Sequence, residues 1–248
     1  MVKNVRPRLR STLIEYRVHI PKSLLAILFG FLLVTAVQAE STVEETSKLL
    51  NAEWADIFYR APGGQQADKY KALLTRIRAF KAQYPQRAEP LILEAITLCT
   101  LAAADWGLSS LSRVEEAKDL LEKSIAIDPA AMEATALITL GNLYYRVPGW
   151  PFSFGDDDQA LEYLEAAIKL DPEGLDSNYF LGDYWLSEEE FDKALPYLEK
   201  AVKTAVRPYH ELSDLKIKAE AERALKAARS RDSGRNDFFS QKTPDFDP

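Results

Sequence analysis

His210 and Cys99 carry the most reactive side chains beyond the first forty positions, and their settings limit the chemistry open to the chain. A zinc site needs three or four His, Cys or carboxylate ligands in close array, which one histidine and one cysteine do not supply. A hydroxyl or thiol nucleophile would have to use His210 as its base, and "RPYHELSD" carries no nucleophile motif. The ten glycines are scattered and build no phosphate-binding loop. Asp156, Asp157 and Asp158 form an acidic triplet, yet a calcium loop needs further spaced oxygen ligands that are missing. A helix start uses the same three residues: one caps free N–H groups and the others face the positive end of the dipole. Paired carboxylates for glycan hydrolysis remain formally available, but acids spread over helices are ordinarily a solvated face. No enzyme, metal or cofactor is expected, so the function to look for is binding.

Binding residues stand out in "VPGWPFSFGD", where Trp150, Phe152 and Phe154 occupy a segment that a short polar turn would serve. Pro148 and Pro151 stop helix continuation, and Gly149 and Gly155 permit turns. Two uses of the rings stay open. They fill a gap beside a neighbouring element, as most aromatics do, or they line a groove or contact, where aromatics are the usual anchors.

The elements that hold this loop follow from internal repetition. "QALEYLEAAIKL" (159–170) and "KALPYLEKAVKT" (193–204) match at seven of twelve positions with an offset of 34, and "EEAKDLLEKSIAIDP" (115–129) aligns with 158–172 at an offset of 43. A period of 34 is that of stacked helical hairpins. Gly182 and Ala194 are twelve apart, whereas Gly141 and Ala160 are nineteen apart, so the aromatic segment is a seven-residue insertion between the two helices of the middle hairpin. No Asn-Gly or Asp-Gly stands between alternating apolar runs, and the expectation is an all-α chain. A more degenerate hairpin is expected over 40–88, repeats over 89–208, a capping helix over 209–231 with Leu215, Ile217, Ala219, Ala221, Ala224, Leu225 and Ala228 as its apolar stripe, and a disordered tail over 232–248. Pro196 is expected to kink the helix that contains it.

In the last unit Leu181, Gly182, Trp185, Ala194, Leu198 and Ala201, and in the middle one Leu140, Gly141, Tyr144, Ala160, Leu164, Ala167 and Pro172, resemble the tetratricopeptide-repeat pattern. The resemblance implies a right-handed superhelix of antiparallel hairpins whose concave face holds a partner protein or peptide. Carried onto this chain, that face presents Asn142, Tyr145 and Arg146 from one hairpin and Tyr179, Asp183 and Leu186 from the next. A second, local resemblance lies in "PGWPFSFGDDDQALEYLEAAI", which looks like a segment of the T-component family of TRAP-type transporters. It implies a transport accessory with a periplasmic substrate-binding protein as partner and an apolar ligand at the aromatics.

Export is expected from the first 39 residues. "LLAILFGFLLVTAV" (24–37) is an uncharged apolar run of 14 residues after a basic segment, too short to span a bilayer comfortably and ending near the small Ala39. Cleavage before Glu40 would give a periplasmic protein, and an uncleaved segment would be its one membrane anchor. The cleaved chain would carry 25 basic and 37 acidic residues, a net charge of −12, which disfavours nucleic acid as a partner. Self-association through an exposed repeat face is a further expectation.

Overall fold

The computed structural model describes residues 42–105, 107 and 109–232. The expected signal segment and the expected tail from 233 onward lie outside the described residues. Those described fold into helices: α1 over 42–60, α2 Gly63–Gln83, α3 Glu89–Ala104, α4 Ser110–Ile127, α5 Ala131–Arg146, α6 Asp157–Leu170, α7 Leu175–Ser187, α8 Phe191–Lys203 and α9 Glu211–Ser230. Among the described residues, extended pairing is confined to one bridge between Gly149 and Gly155. None of the described helices is long and apolar enough to cross a membrane.

Each boundary has a local cause. Gln66 Nε2 donates to the carbonyls of Ile57, Phe58 and Ala61, occupying acceptors that the end of α1 would otherwise leave open. Pro90 sits in the first turn of α3, where its missing N–H costs nothing. Asp156 caps α6, its Oδ1 accepting from the Gln159 N–H at 3.0 Å, and Asp157 and Asp158 occupy the first turn. α8 runs through Pro196 as one continuous helix, with the proline on its exposed side.

Successive helices pair as hairpins, α3 with α4, α5 with α6 and α7 with α8, and a second set of contacts runs α3–α5–α7–α9. The first helices therefore stack into an inner row, with α4, α6 and α8 behind them. Small residues set the spacing. A Cβ on Gly141 would lie 2.7 Å from Leu164 Cγ, one on Gly182 2.8 Å from Leu198 Cγ, and Ala160, Ala167, Ala194 and Ala201 are fully buried. α9 closes the row by laying Ile217, Ala221, Ala224, Leu225 and Ala228 on Leu175, Tyr179, Leu186 and Leu198. Leu215, expected in that stripe, is instead 53% exposed, because its position turns away from α7 and α8.

The row also curves back on itself. Asn51 Nδ2 of α1 donates to His210 Nδ1 just before α9 at 3.2 Å, and Lys48 Nζ lies 4.6 Å above the Tyr209 ring. The two ends of the array thus meet, and a cavity lies inside.

Candidate functional site

The cavity has a volume of about 650 Å³ and a mostly apolar wall. α1 contributes Asn51, Trp54, Phe58 and Tyr59, a stripe at helical spacing. Ile96, Cys99 and Thr100 come from α3; Thr135, Ile138, Asn142 and Arg146 lie along one side of α5; Asp176 and Phe180 come from α7. Trp54 stacks on Phe58 with ring centroids 5.2 Å apart and donates its Nε1–H to Thr100 Oγ1 at 3.1 Å, so this part of the wall is held in place. Met132 and Glu133 reach the cavity from a left-handed turn at the start of α5, with φ of 51° and 52°.

One end of the cavity is charged. Arg207 Nη2 donates to Asp176 Oδ2 at 2.7 Å and to Asp214 Oδ1 at 2.6 Å, and its Nη1 donates to Glu133 Oε2 at 3.4 Å. Asp214 is 0% exposed and also accepts from the Arg207 backbone N–H at 2.7 Å. Burial opposes the charge on Arg207, but its hydrogen bonds to Asp214 and the charges of Asp176 and Asp214 outweigh that and hold the guanidinium well above its ordinary pKa. Tyr59 lies on this side, with Tyr70 next to it. Burial, then Asp176 and other carboxylates, pushes the Tyr59 phenol upward, and burial does the same to Tyr70. Tyr70 Oη is only 1% exposed as a residue and makes no hydrogen bond of acceptable geometry; the Thr100 hydroxyl near it accepts from Trp54 and donates to Ile96 O. Burial pushes the half-buried Cys99 thiol up to about 12, so it stays protonated and apolar in character.

The other end is the aromatic loop, ten residues (147–156) where the last hairpin turns in three (188–190). It is tied to itself by Gly155 N–H to Pro148 O at 3.0 Å and Phe152 N–H to Gly149 O at 3.1 Å, and to α5 by Asp156 N–H to Tyr144 O at 2.9 Å. Gly155 is required by close approach: a Cβ there would lie 1.8 Å from Val147 O. The three rings separate. Phe154 turns inward against Tyr144, centroids 5.2 Å apart, beneath Lys118. Phe152 lines the cavity mouth and is 77% exposed, and Trp150 is 90% exposed. Ser153 Oγ, also on the cavity wall, is buried without a hydrogen-bonding partner.

Of the residues expected at a binding face, Asn142, Arg146 and Phe152 therefore come together on the cavity. Tyr145 is half-buried beside it, its hydroxyl donating to Glu188 Oε1 at 3.3 Å and its ring against Tyr184. Tyr179, Asp183 and Leu186 do not form a groove, since all three are buried, Tyr179 and Leu186 at 1% and 0% exposure. The reason is α9, which covers the side of α7 whose counterpart on α5 stays open; Asp176 and Phe180 take the cavity-facing positions instead. Trp54, Tyr59, Tyr70 and Arg207 were missed by sequence reasoning. The spacing of Asn51, Trp54 and Phe58 was the available signal for α1, but it equally describes a core stripe.

The phenols give a pH expectation. Tyr184, desolvated against Tyr145 and Trp185, is pushed up to about 12, and burial also raises Tyr145 and Tyr163. A phenol whose pKa is raised on folding contributes stability that is complete below its unfolded value, about 10, and is lost as pH climbs past it. The melting temperature should fall between pH 10 and 12, with part of the 295 nm phenolate absorbance appearing only on unfolding; full ionisation at pH 10.5 in the folded chain would contradict this.

Comparison with known proteins gives one family match and several relatives. A tetratricopeptide-repeat family model matches residues 152–173, which contain the end of the aromatic loop and α6. Tetratricopeptide repeat protein 17 from Rattus norvegicus and from Homo sapiens are each 25% identical over 132 residues, 50% of this chain. The match covers only 10% and 11% of those two relatives' own length.

Proposed function

We propose, from the premise that this chain is a tetratricopeptide-repeat protein, that it is an exported accessory protein whose interior holds an apolar ligand while its surface engages a partner. Tetratricopeptide repeats act as protein-interaction adaptors, and the likeness to them supports an adaptor role here. The cavity carries the finer reading. At about 650 Å³, walled by apolar and aromatic groups with few polar atoms, it falls within the range of small-molecule sites. The partner would be a periplasmic substrate-binding protein, in line with the local likeness of the aromatic segment to TRAP accessory proteins, and Trp150 is the exposed ring best placed to meet it.

The test uses N-phenyl-1-naphthylamine, a dye that brightens in apolar surroundings. It should bind one per chain; Phe152→Ala should weaken uptake several-fold with the melting temperature unchanged, because the ring is largely solvent-exposed, and Thr139→Phe, which fills the cavity, should abolish it. Undiminished uptake by Thr139→Phe would place the dye elsewhere and remove the reading. Export is tested by fusing residues 1–39 to alkaline phosphatase, which is active only outside the cytoplasm; an inactive fusion would refute it.

A second reading is favoured by the exposure of Trp150 and Phe152 together: a partner protein inserts against these rings and the cavity is incidental. Crosslinking from position 150 in intact cells would then capture a partner equally well from the Thr139→Phe variant.

A further inference from the structure

What the cavity can hold follows from what its polar groups already hold. Among the described wall residues the charged ones are two carboxylates, Glu133 and Asp176, and two guanidiniums, Arg146 and Arg207, so neither sign prevails. Asp214, bonded to Arg207, and Lys48, which acts on Glu133 from α1, add one further charge of each sign. The hydroxyls are occupied too: Thr100, Thr135 and Thr139 each donate to a carbonyl one turn back on their own helix, and Ser110 donates to Ala102 O at 3.1 Å. Of the amides, Gln66 serves the end of α1, Asn51 meets His210, and Asn142 Nδ2 donates to Ile138 O at 3.0 Å. Tyr70 Oη and Ser153 Oγ lack a partner, but both are buried in the protein and not presented to the interior. A charged head group entering here would give up water for a wall whose polar groups are already engaged, which is unfavourable. The mouth is no better, because Val147, Pro148 and Phe152 stand there and Arg146 beside them is itself engaged within the protein. Shape adds the other constraint. α5 lines the cavity from Glu133 to Arg146, about 20 Å at 1.5 Å per residue.

We infer that the cavity takes an uncharged, extended hydrocarbon chain lying along α5, and that it sorts ligands by chain length and by the absence of charge. This inference rests on the cavity being a ligand site, and it adds the class of ligand. The chain would run between Trp54 and Phe58 of α1, Ile138 of α5 and Phe180 of α7, all on the wall, with affinity supplied by the apolar surface it removes from water.

The test is displacement of bound N-phenyl-1-naphthylamine at pH 7.5 by decanol, decanoate and decylamine, which share one chain and differ in the head, and by the alcohols from hexanol to hexadecanol. Decanol is expected to displace the dye at a concentration at least ten-fold lower than either charged compound. Each added methylene should tighten binding about four-fold until the chain fills the cavity, after which the gain should stop. Thr135→Phe, which sets a ring near the inner end of α5, should make it stop at a shorter alcohol. Equal displacement by the three ten-carbon compounds would mean that the head stays in water and would overturn the inference, and preference for either charged one would assign the head to a group of opposite sign and overturn it too. A gain under two-fold per methylene, or the same limiting alcohol in Thr135→Phe, would show that no chain lies along α5. The comparisons on the unmodified chain hold whether or not that variant folds. Failure of the dye to bind at all removes the cavity reading and this inference together, whereas the head-group and chain-length results bear on this inference alone.

Discussion

Replacing Arg207 with alanine should destabilise the folded chain by about 3 kcal/mol or more at pH 7, the largest loss expected from any single change outside the apolar core. Asp214 is fully buried and would keep its bond from the residue 207 backbone N–H, but would lose the side-chain donors at 3.1 and 2.6 Å. Asp176 would lose its ion pair at the same time. Breaking a buried pair from one side leaves an uncompensated charge, which costs more than the pair itself contributes. Replacing both, as Arg207→Met with Asp214→Leu, should therefore cost less than Arg207→Ala alone. Urea denaturation at pH 7 measures both; a loss under about 1 kcal/mol for Arg207→Ala would show that water replaces the guanidinium freely.

The second large effect concerns helix spacing. Gly182→Val should cost about 2–3 kcal/mol, or about 5–10 °C in melting temperature, and Gly141→Val a similar amount. At Gly182 even a Cβ would lie 2.8 Å from two Leu198 carbons and 3.2 Å from the Leu198 backbone nitrogen; at Gly141 it would meet Leu164 at 2.7 Å and Ala160 O at 3.1 Å. Because backbone atoms stand behind the leucines, a rotamer change cannot absorb the added volume, and the hairpins must splay. Gly64→Ala is the counterpart. Nothing lies within 4 Å of the Cβ it would add, so the gain in helix propensity should appear as up to about 1 kcal/mol of extra stability. Equal melting temperatures for Gly182→Val and the parent would mean that the hairpins do not pack as closely as the structure has them.

These glycines were readable in the sequence because a repeat prints its constraint more than once. Gly141 and Gly182 occur at equivalent places, each opposite an alanine and a leucine, and the seven extra residues of the aromatic loop showed as a change in that spacing. Asp156 was readable as a cap for a different reason: its effect is local, exerted within one turn. What repetition could not supply was the effect of the chain's non-repeating ends. Tyr179 and Leu186 sit where the repeat leaves an open face, and only the position of α9 turns that face into core. The cavity depends likewise on α1 and on Arg207, which the recurring pattern does not single out. The sorting of Trp150, Phe152 and Phe154 into two exposed rings and one packed ring is decided by backbone bonds within the loop, which composition does not encode.

A row of hairpins is by nature open-ended, each unit leaning only on its neighbours, so that it can fray from either terminus. The contact between Asn51 and His210 removes that freedom by joining positions 159 apart. Such a seam cannot form until nearly the whole chain has been synthesised, which makes the last helix the keystone of the first and delays closure of the interior to the final step of folding. Parting α1 from the start of α9 would break the Asn51–His210 bond and the Lys48–Tyr209 contact while leaving every hairpin folded, so the interior has a route to solvent that unwinds no helix.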